Sequence, residues 1–173
     1  MSKAQLKKYI EGLDREHLEE FVLDIYSDVK PAKEYLDFFL NPDVNKVTDK
    51  TRRALYARIF RANGAPLPRL RFSRINGIVK DFSAKVRDPY IVADLMEYLL
   101  MLLCEYGCRN RTSESFVRSL AASFGRFSKW LVSSGIEIEY KEKMRSLIEK
   151  THGIDRDCTD RVYDAVDECF EPD

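Results

Sequence analysis

The sequence predicts an all-α protein: an irregular multi-helix bundle, or a short superhelix of helical hairpins, with eight to nine helices and no sheet. Three observations carry that expectation. Apolar residues recur at spacings of three and four along almost the whole chain, which sets one stripe on one helix face after another. Seven Gly and six Pro in 173 residues are too few to punctuate a strand-rich fold. Residues suited to helix caps stand at the joints between the stripes. "IEIEY" at 136–140 alternates like a strand, but a lone strand has nothing to pair with.

Leu6, Tyr9 and Ile10 mark a first short helix that ends at Gly12. Asp14 is suited to cap the second, whose apolar stripe is Leu18, Phe21, Val22, Ile25, Tyr26 and Val29. Pro31 fits the first turn of a third, where its missing N–H is no loss, and Asn41-Pro42 ends it. A fourth is expected from about Asp43 to Asn63, stopped by Gly64. "GAPLP", Gly64–Pro68, is the clearest break in the chain. Beyond it Ser73 is expected to cap a helix with Ile75, Ile78, Val79, Phe82 and Val86 on its core face. Asp88-Pro89 combines a cap with a first-turn proline and starts a helix that is apolar on nearly all sides, closed by Gly107. Thr112 or Ser113 opens the next, with Phe116, Leu120, Phe124, Phe127 and Leu131 along one side and Gly135 at its end. Two last helices are expected near 140–151 and 157–170.

These elements read as a single all-helical domain over 1–173, with its break in the Gly64–Pro68 loop and flexible last residues. "YLLMLLC", Tyr98–Cys104, is the longest strongly apolar run. As a helix it rises only about 10 Å, against roughly 30 Å for a bilayer, so no membrane partner is expected. The first residues lack a leader-like apolar run, and four Cys without one suggest reduced thiols in the cytoplasm.

The formal net charge is zero, but it is unevenly spread. Residues 46–87 carry twelve basic residues against Asp49 and Asp81, a net of +10. Residues 1–45 carry −4 and residues 88–173 carry −6. At about 100° per residue, Lys46, Lys50, Arg53 and Arg61 share one side of the fourth helix, opposite Leu55, with Arg58 bordering them. The loop and next helix add Arg69, Arg71 and Arg74. Arg74 just after a Ser73 cap is disfavoured by the helix dipole, and an anion held at Ser73, Arg71 and Arg74 would relieve that conflict.

Three readings fit this charge map. The cations could pair with the acidic ends of the same chain. They could meet an acidic protein surface or a second copy of the chain. They could also contact phosphate or nucleic acid, with strong salt dependence. "GAPLPRLRFS" is too long and Pro-rich for the tight turn of a DNA-reading helix-turn-helix.

Catalytic and metal chemistry find little support. His17 and His152 belong to no metalloprotease or hydrolase motif and suit helix ends. Cys104 and Cys108 could share a helical face. With Cys158 and Cys169 they form none of the paired Cys-x2-Cys elements common in structural zinc sites. Glu34 and Asp37 are three apart and could serve as acid and base, but that spacing is commoner in caps and ion pairs. No Gly-rich phosphate loop is present. Accordingly we expect no catalytic residue, metal or cofactor. The leading expectation is a non-enzymatic helical interaction protein whose contact face is Lys50, Arg53, Arg58, Arg61, Arg69, Arg71 and Arg74. A nucleic-acid- or phosphate-binding module using the same face comes next.

"KEYLDFFLNPD", Lys33–Asp43, resembles a segment of a family of small bacterial proteins of unknown function. The capped "LDREHLEEFVLDIY", the Leu70-Arg71-Phe72-Ser73 helix start, "DPYIVADLMEYLLMLLCEYG" and "THGIDRDCTDRVYDAVDECF" are also similar to that family. The resemblance implies an all-helical single domain and supplies no activity, cofactor or site residue. It suits a role for Tyr35, Phe38, Phe39 and Leu40 in wedging the first helices onto the rest.

Overall fold

A computed structural model describes residues 2–40 and 43–167, apart from the side chains of Glu34, Phe38 and Phe39. Among the described residues there are nine α-helices and no strand. The chain forms two compact units, 1–43 and 44–173.

The first unit holds α1 (Lys3–Glu11), α2 (Arg15–Asp28) and α3 (Lys30–Leu40). Ser2 and Gln5 form a reciprocal capping box at the start of α1. Asp14 caps α2 as expected, accepting the His17 backbone N–H at 2.9 Å, and that bond holds its carboxyl below the usual range. Tyr9 meets Phe21 edge to face at 6.0 Å, and Tyr26 donates its hydroxyl to Asp37 at 2.7 Å. The latter bond ties α2 to α3. No residue of α1 or α2 is buried. The Asn41-Pro42 stop, the Phe38 and Phe39 side chains and the Glu34 carboxylate lie outside the described residues. Tyr35 and Leu40 are exposed.

The second unit holds α4 (Val44–Ile59), α5 (Phe72–Lys85), α6 (Pro89–Arg109), α7 (Glu114–Ser134), α8 (Glu137–Thr151) and α9 (Arg156–Asp167). Its centre is α6, which buries ten residues and packs against α4, α5, α7 and α8. Leu99, Leu102 and Leu103 are covered within the unit, which removes the reason to invoke a dimer for them. Phe124, Phe127, Leu120 and Leu131 of α7 complete the core, and α9 lies on α7 and α8. None of the described helices is long and apolar enough to cross a membrane.

Asp88 caps α6 through the Tyr90 and Ile91 amides, Ser113 caps α7, and Gly135 ends α7 at φ 66°. Four boundaries differ from expectation. α4 stops at Ile59, because the chain reverses there. Phe60 bridges to Pro66, and the Leu67 N–H returns to the Ile59 carbonyl at 2.9 Å. Gly64, at φ 75°, serves that reversal and is no helix stop. α5 begins at Phe72, so Ser73 lies inside the first turn and Arg71 takes the cap position. α6 runs through Gly107 to Arg109, and the buried glycine leaves the room that the Ile154 side chain fills. α8 starts at Glu137, absorbing the alternating "IEIEY" into a helix whose Ile136 and Tyr140 are buried and Ile138 exposed.

Candidate functional site

Leu55 and Ile59 are fully buried and fix the rotation of α4. That rotation leaves Lys50, Arg53 and Arg58 exposed. Arg61 lies past the helix end, in the reversal, so the expected helical stripe does not extend to it. The hydrogen bond from Leu67 to Ile59 draws the following segment back along α4, and Ile75 and Phe82 bury one side of α5.

These constraints bring Arg58, Arg69, Arg71 and Arg74 around a recess of about 180 Å³, whose remaining lining is Ala57 and Leu67. Lys50, Arg53 and Arg61 do not line it. Arg53 and Arg58 are five residues apart on α4 and face about 140° apart. The expected face is therefore two groups: a four-arginine cluster and a separate exposed set.

The recess lies at the start of α5, where the cap position carries an arginine and no side chain accepts from the first turn. The Arg74 and Ile75 amides bond the Arg71 carbonyl at 3.0 and 3.2 Å. The Phe72 and Ser73 amides have no acceptor among the described residues. Arg71 and Arg74 thus crowd the positive end of a helix dipole, as the sequence suggested, without a serine cap. No described carboxylate lies within 4 Å of any of the seven expected face residues. By contrast, Arg109, Arg118, Arg145 and Arg161 each pair with Glu or Asp. Arg52 lies over the Tyr98 ring at 5.3 Å. A cluster of guanidinium forks beside uncapped amides can receive a phosphate or carboxylate through charge-assisted hydrogen bonds.

The sequence matches a family across residues 1–171. The chain belongs to DUF6155, a family of unknown function. No curated protein and no solved structure matches it.

Other residues of this DUF6155 chain singled out by sequence sit in ordinary structural settings. His17 Nδ1 lies 2.7 Å from Asp14, and His152 ends α8 with Nδ1 3.1 Å from the Glu149 carbonyl. Cys104 and Cys158 are buried, and burial pushes their thiols up to about 12 and about 11. Cys108 is exposed and Cys104 buried, yet both face α8 as one helical face would have them: Cys104 Sγ lies 4.0 Å from the Leu147 carbonyl and Cys108 Sγ 3.8 Å from the Lys150 carbonyl, while Cys169 lies outside the described residues. Among the described residues no three His, Cys, Asp or Glu gather closely enough to hold a metal ion.

Two polar clusters escaped the sequence reading. Tyr140 donates to Asp94 at 2.6 Å, and Lys143 bonds Glu97 at 2.9 Å and Asp94 at 3.3 Å, stitching α8 to α6. The Glu97 bond raises Lys143 above its ordinary value. In the other, Arg126 and Trp130 of α7 border a groove of about 460 Å³ with α5 and α6. Their spacing of four on α7 was the available signal, since it sets both on one face.

Proposed function

We propose that this DUF6155 member is a non-enzymatic helical interaction protein that docks an anionic partner through Lys50, Arg53, Arg58, Arg61, Arg69, Arg71 and Arg74. The observation that carries the reading is that these seven cations have no described carboxylate within 4 Å. Internal pairing with the acidic ends of the chain would have used them up. All seven side chains are exposed, so their charge is open to an acidic protein surface, or to an acidic segment of a second copy, of complementary potential.

A second reading is favoured by one feature, the four-arginine recess at an uncapped helix start. Phosphate suits that recess better than a lone carboxylate, because it offers more acceptor oxygens to several guanidinium forks. On this reading the partner is a nucleic acid or another phosphate-bearing molecule.

Fluorescent polyglutamate and mixed-sequence DNA and RNA of equal charge, titrated at about 50 and 200 mM salt, separate the two. The protein-partner reading expects polyglutamate to bind at least as tightly as the nucleic acids, with loss in Arg53→Glu/Arg61→Glu as well as in Arg71→Glu/Arg74→Glu. Tighter binding of nucleic acid, lost chiefly in Arg71→Glu/Arg74→Glu, selects the phosphate reading. Absence of binding by every probe at the lower salt ends both.

A further inference from the structure

A second concavity, distinct from the arginine recess, runs between α5, α6 and α7. Its volume of about 460 Å³ falls inside the range of roughly 300–1,000 Å³ common to small-molecule sites. Val79, Val92, Met96, Leu99 and Leu100 supply an apolar floor, and the Trp130 indole forms a wall. The indole N–H donates to the Pro89 carbonyl at 3.4 Å, which fixes the ring. A fixed aromatic wall over an apolar floor is the lining of a ligand pocket.

The polar lining has one sign. Lys80, Arg126 and Lys129 border the groove, and no acidic residue does. Ser83, Ser123 and Ser133 each donate their hydroxyl hydrogen to a carbonyl of their own helix, at 3.0, 2.8 and 3.0 Å. They are therefore poor donors to a ligand, and the cations are left as the main hydrogen-bond source. Arg126 is the best placed of these. Its Nη2 donates to Asn76 Oδ1 at 3.0 Å and to Ser123 Oγ at 2.8 Å, while Nε and Nη1 have no partner among the described residues. Two neutral acceptors orient the guanidinium without cancelling its charge. The free Nε–H and Nη1–H groups point to different sides of the guanidinium, and either can donate to an oxygen of an anion. No described carboxylate lies within 4 Å of it.

We propose that this groove binds a small soluble amphipathic anion, its apolar body lying on Val79, Met96 and Leu100 against Trp130 and its carboxylate or phosphate head on Arg126. Charge complementarity argues for this occupant: an apolar floor alone would take a neutral molecule, but a cationic border without any acid selects an anionic head. The groove holds one small molecule, which argues for a free ligand over a bilayer.

Trp130 is the only tryptophan of the chain, so its emission reports on this site alone. The full-length protein is titrated, below their micelle concentrations, with decanoate, decyl phosphate and neutral decanol. Helicity is followed in parallel. The expected result is a saturable change in indole emission with either anion at constant helicity, and binding of decanol weaker by about 10-fold. Whichever anion binds more tightly names the head group. Arg126→Met, which keeps an unbranched apolar stem and removes the guanidinium, is expected to weaken anion binding by about 10-fold and leave decanol unchanged. Decanol binding as tightly as decanoate to the unaltered protein would overturn the proposal, and that comparison needs no variant to fold. So would silence of the indole toward both anions, or a response only to phosphatidylglycerol-containing vesicles or to an acidic amphipathic peptide, which would reassign the groove to a bilayer or a protein.

Discussion

A methyl group added at position 107 of α6 would stand 2.5 Å from Ile154 Cδ1 and 3.2 Å from Phe116 Cε1, so the glycine there is a packing requirement. Gly77, inside α5, has nothing within 4 Å of the same methyl. One substitution should therefore act with opposite signs. Chemical denaturation is expected to show Gly107→Ala destabilised by about 1–3 kcal/mol through overpacking. Gly77→Ala should be stabilised by about 0.5–1 kcal/mol through lower unfolded-chain entropy. The thiols form another contrast. In a Cys169→Ser background, a thiol reagent near neutral pH is expected to modify Cys108 rapidly, and Cys104 and Cys158 only on unfolding. An unfolded cysteine ionises near 9.0, whereas folded Cys104 keeps its proton to about 12. Between those values the unfolded state has lost a proton that the folded state retains, so rising pH favours unfolding. This contribution to stability is intact below about pH 9 and declines above it, which midpoints of urea unfolding measured across that range would show.

At the scale of helices, local chemistry was legible where a few neighbouring residues decide the outcome. Asp14, the Asp88-Pro89 pair, Ser113 and Gly135 each settle a boundary within about one turn, and the sequence located three of them and narrowed the other to Thr112 or Ser113. The end of α4 was not legible, because it depends on Phe60 packing on Tyr106, 46 positions along the chain, at 6.5 Å. Likewise Ser73 looks like a cap in sequence, but the chain enters α5 two residues earlier, through Arg71. The arginines of the recess were all named beforehand. Their division from Lys50, Arg53 and Arg61 needed the path of the reversal. The Trp130 groove was missed since three helices must meet to form it. The cap position of α5 invites a direct trial. Arg71→Asp places an acceptor where the first-turn amides lack one and should stabilise the protein by about 1 kcal/mol. It should also abolish binding of the anionic probe that the unaltered protein prefers. Thermal unfolding and the polyanion titration check the two halves of that trade.

Across the whole molecule, the two units differ in how much they bury. α1 and α2 have no buried residue, whereas α6 alone buries ten. Local opening is easiest where few apolar contacts must be broken. Hydrogen exchange followed by mass spectrometry should therefore label α1 and α2 first and α6 and α7 last. Equal protection across the chain would show that the first unit gains its stability from something other than its own side-chain burial.

That no described carboxylate pairs with the arginines of the recess also governs how the purified protein behaves on a column. An ion-exchange resin responds to the charge it touches and not to the arithmetic total, so a chain with a formal sum of zero can still adhere to sulfonated beads at neutral pH. Such adhesion is expected, with elution at lower salt after Arg71→Glu/Arg74→Glu. Anyone preparing this protein would then meet its ligand preference first as a chromatographic anomaly.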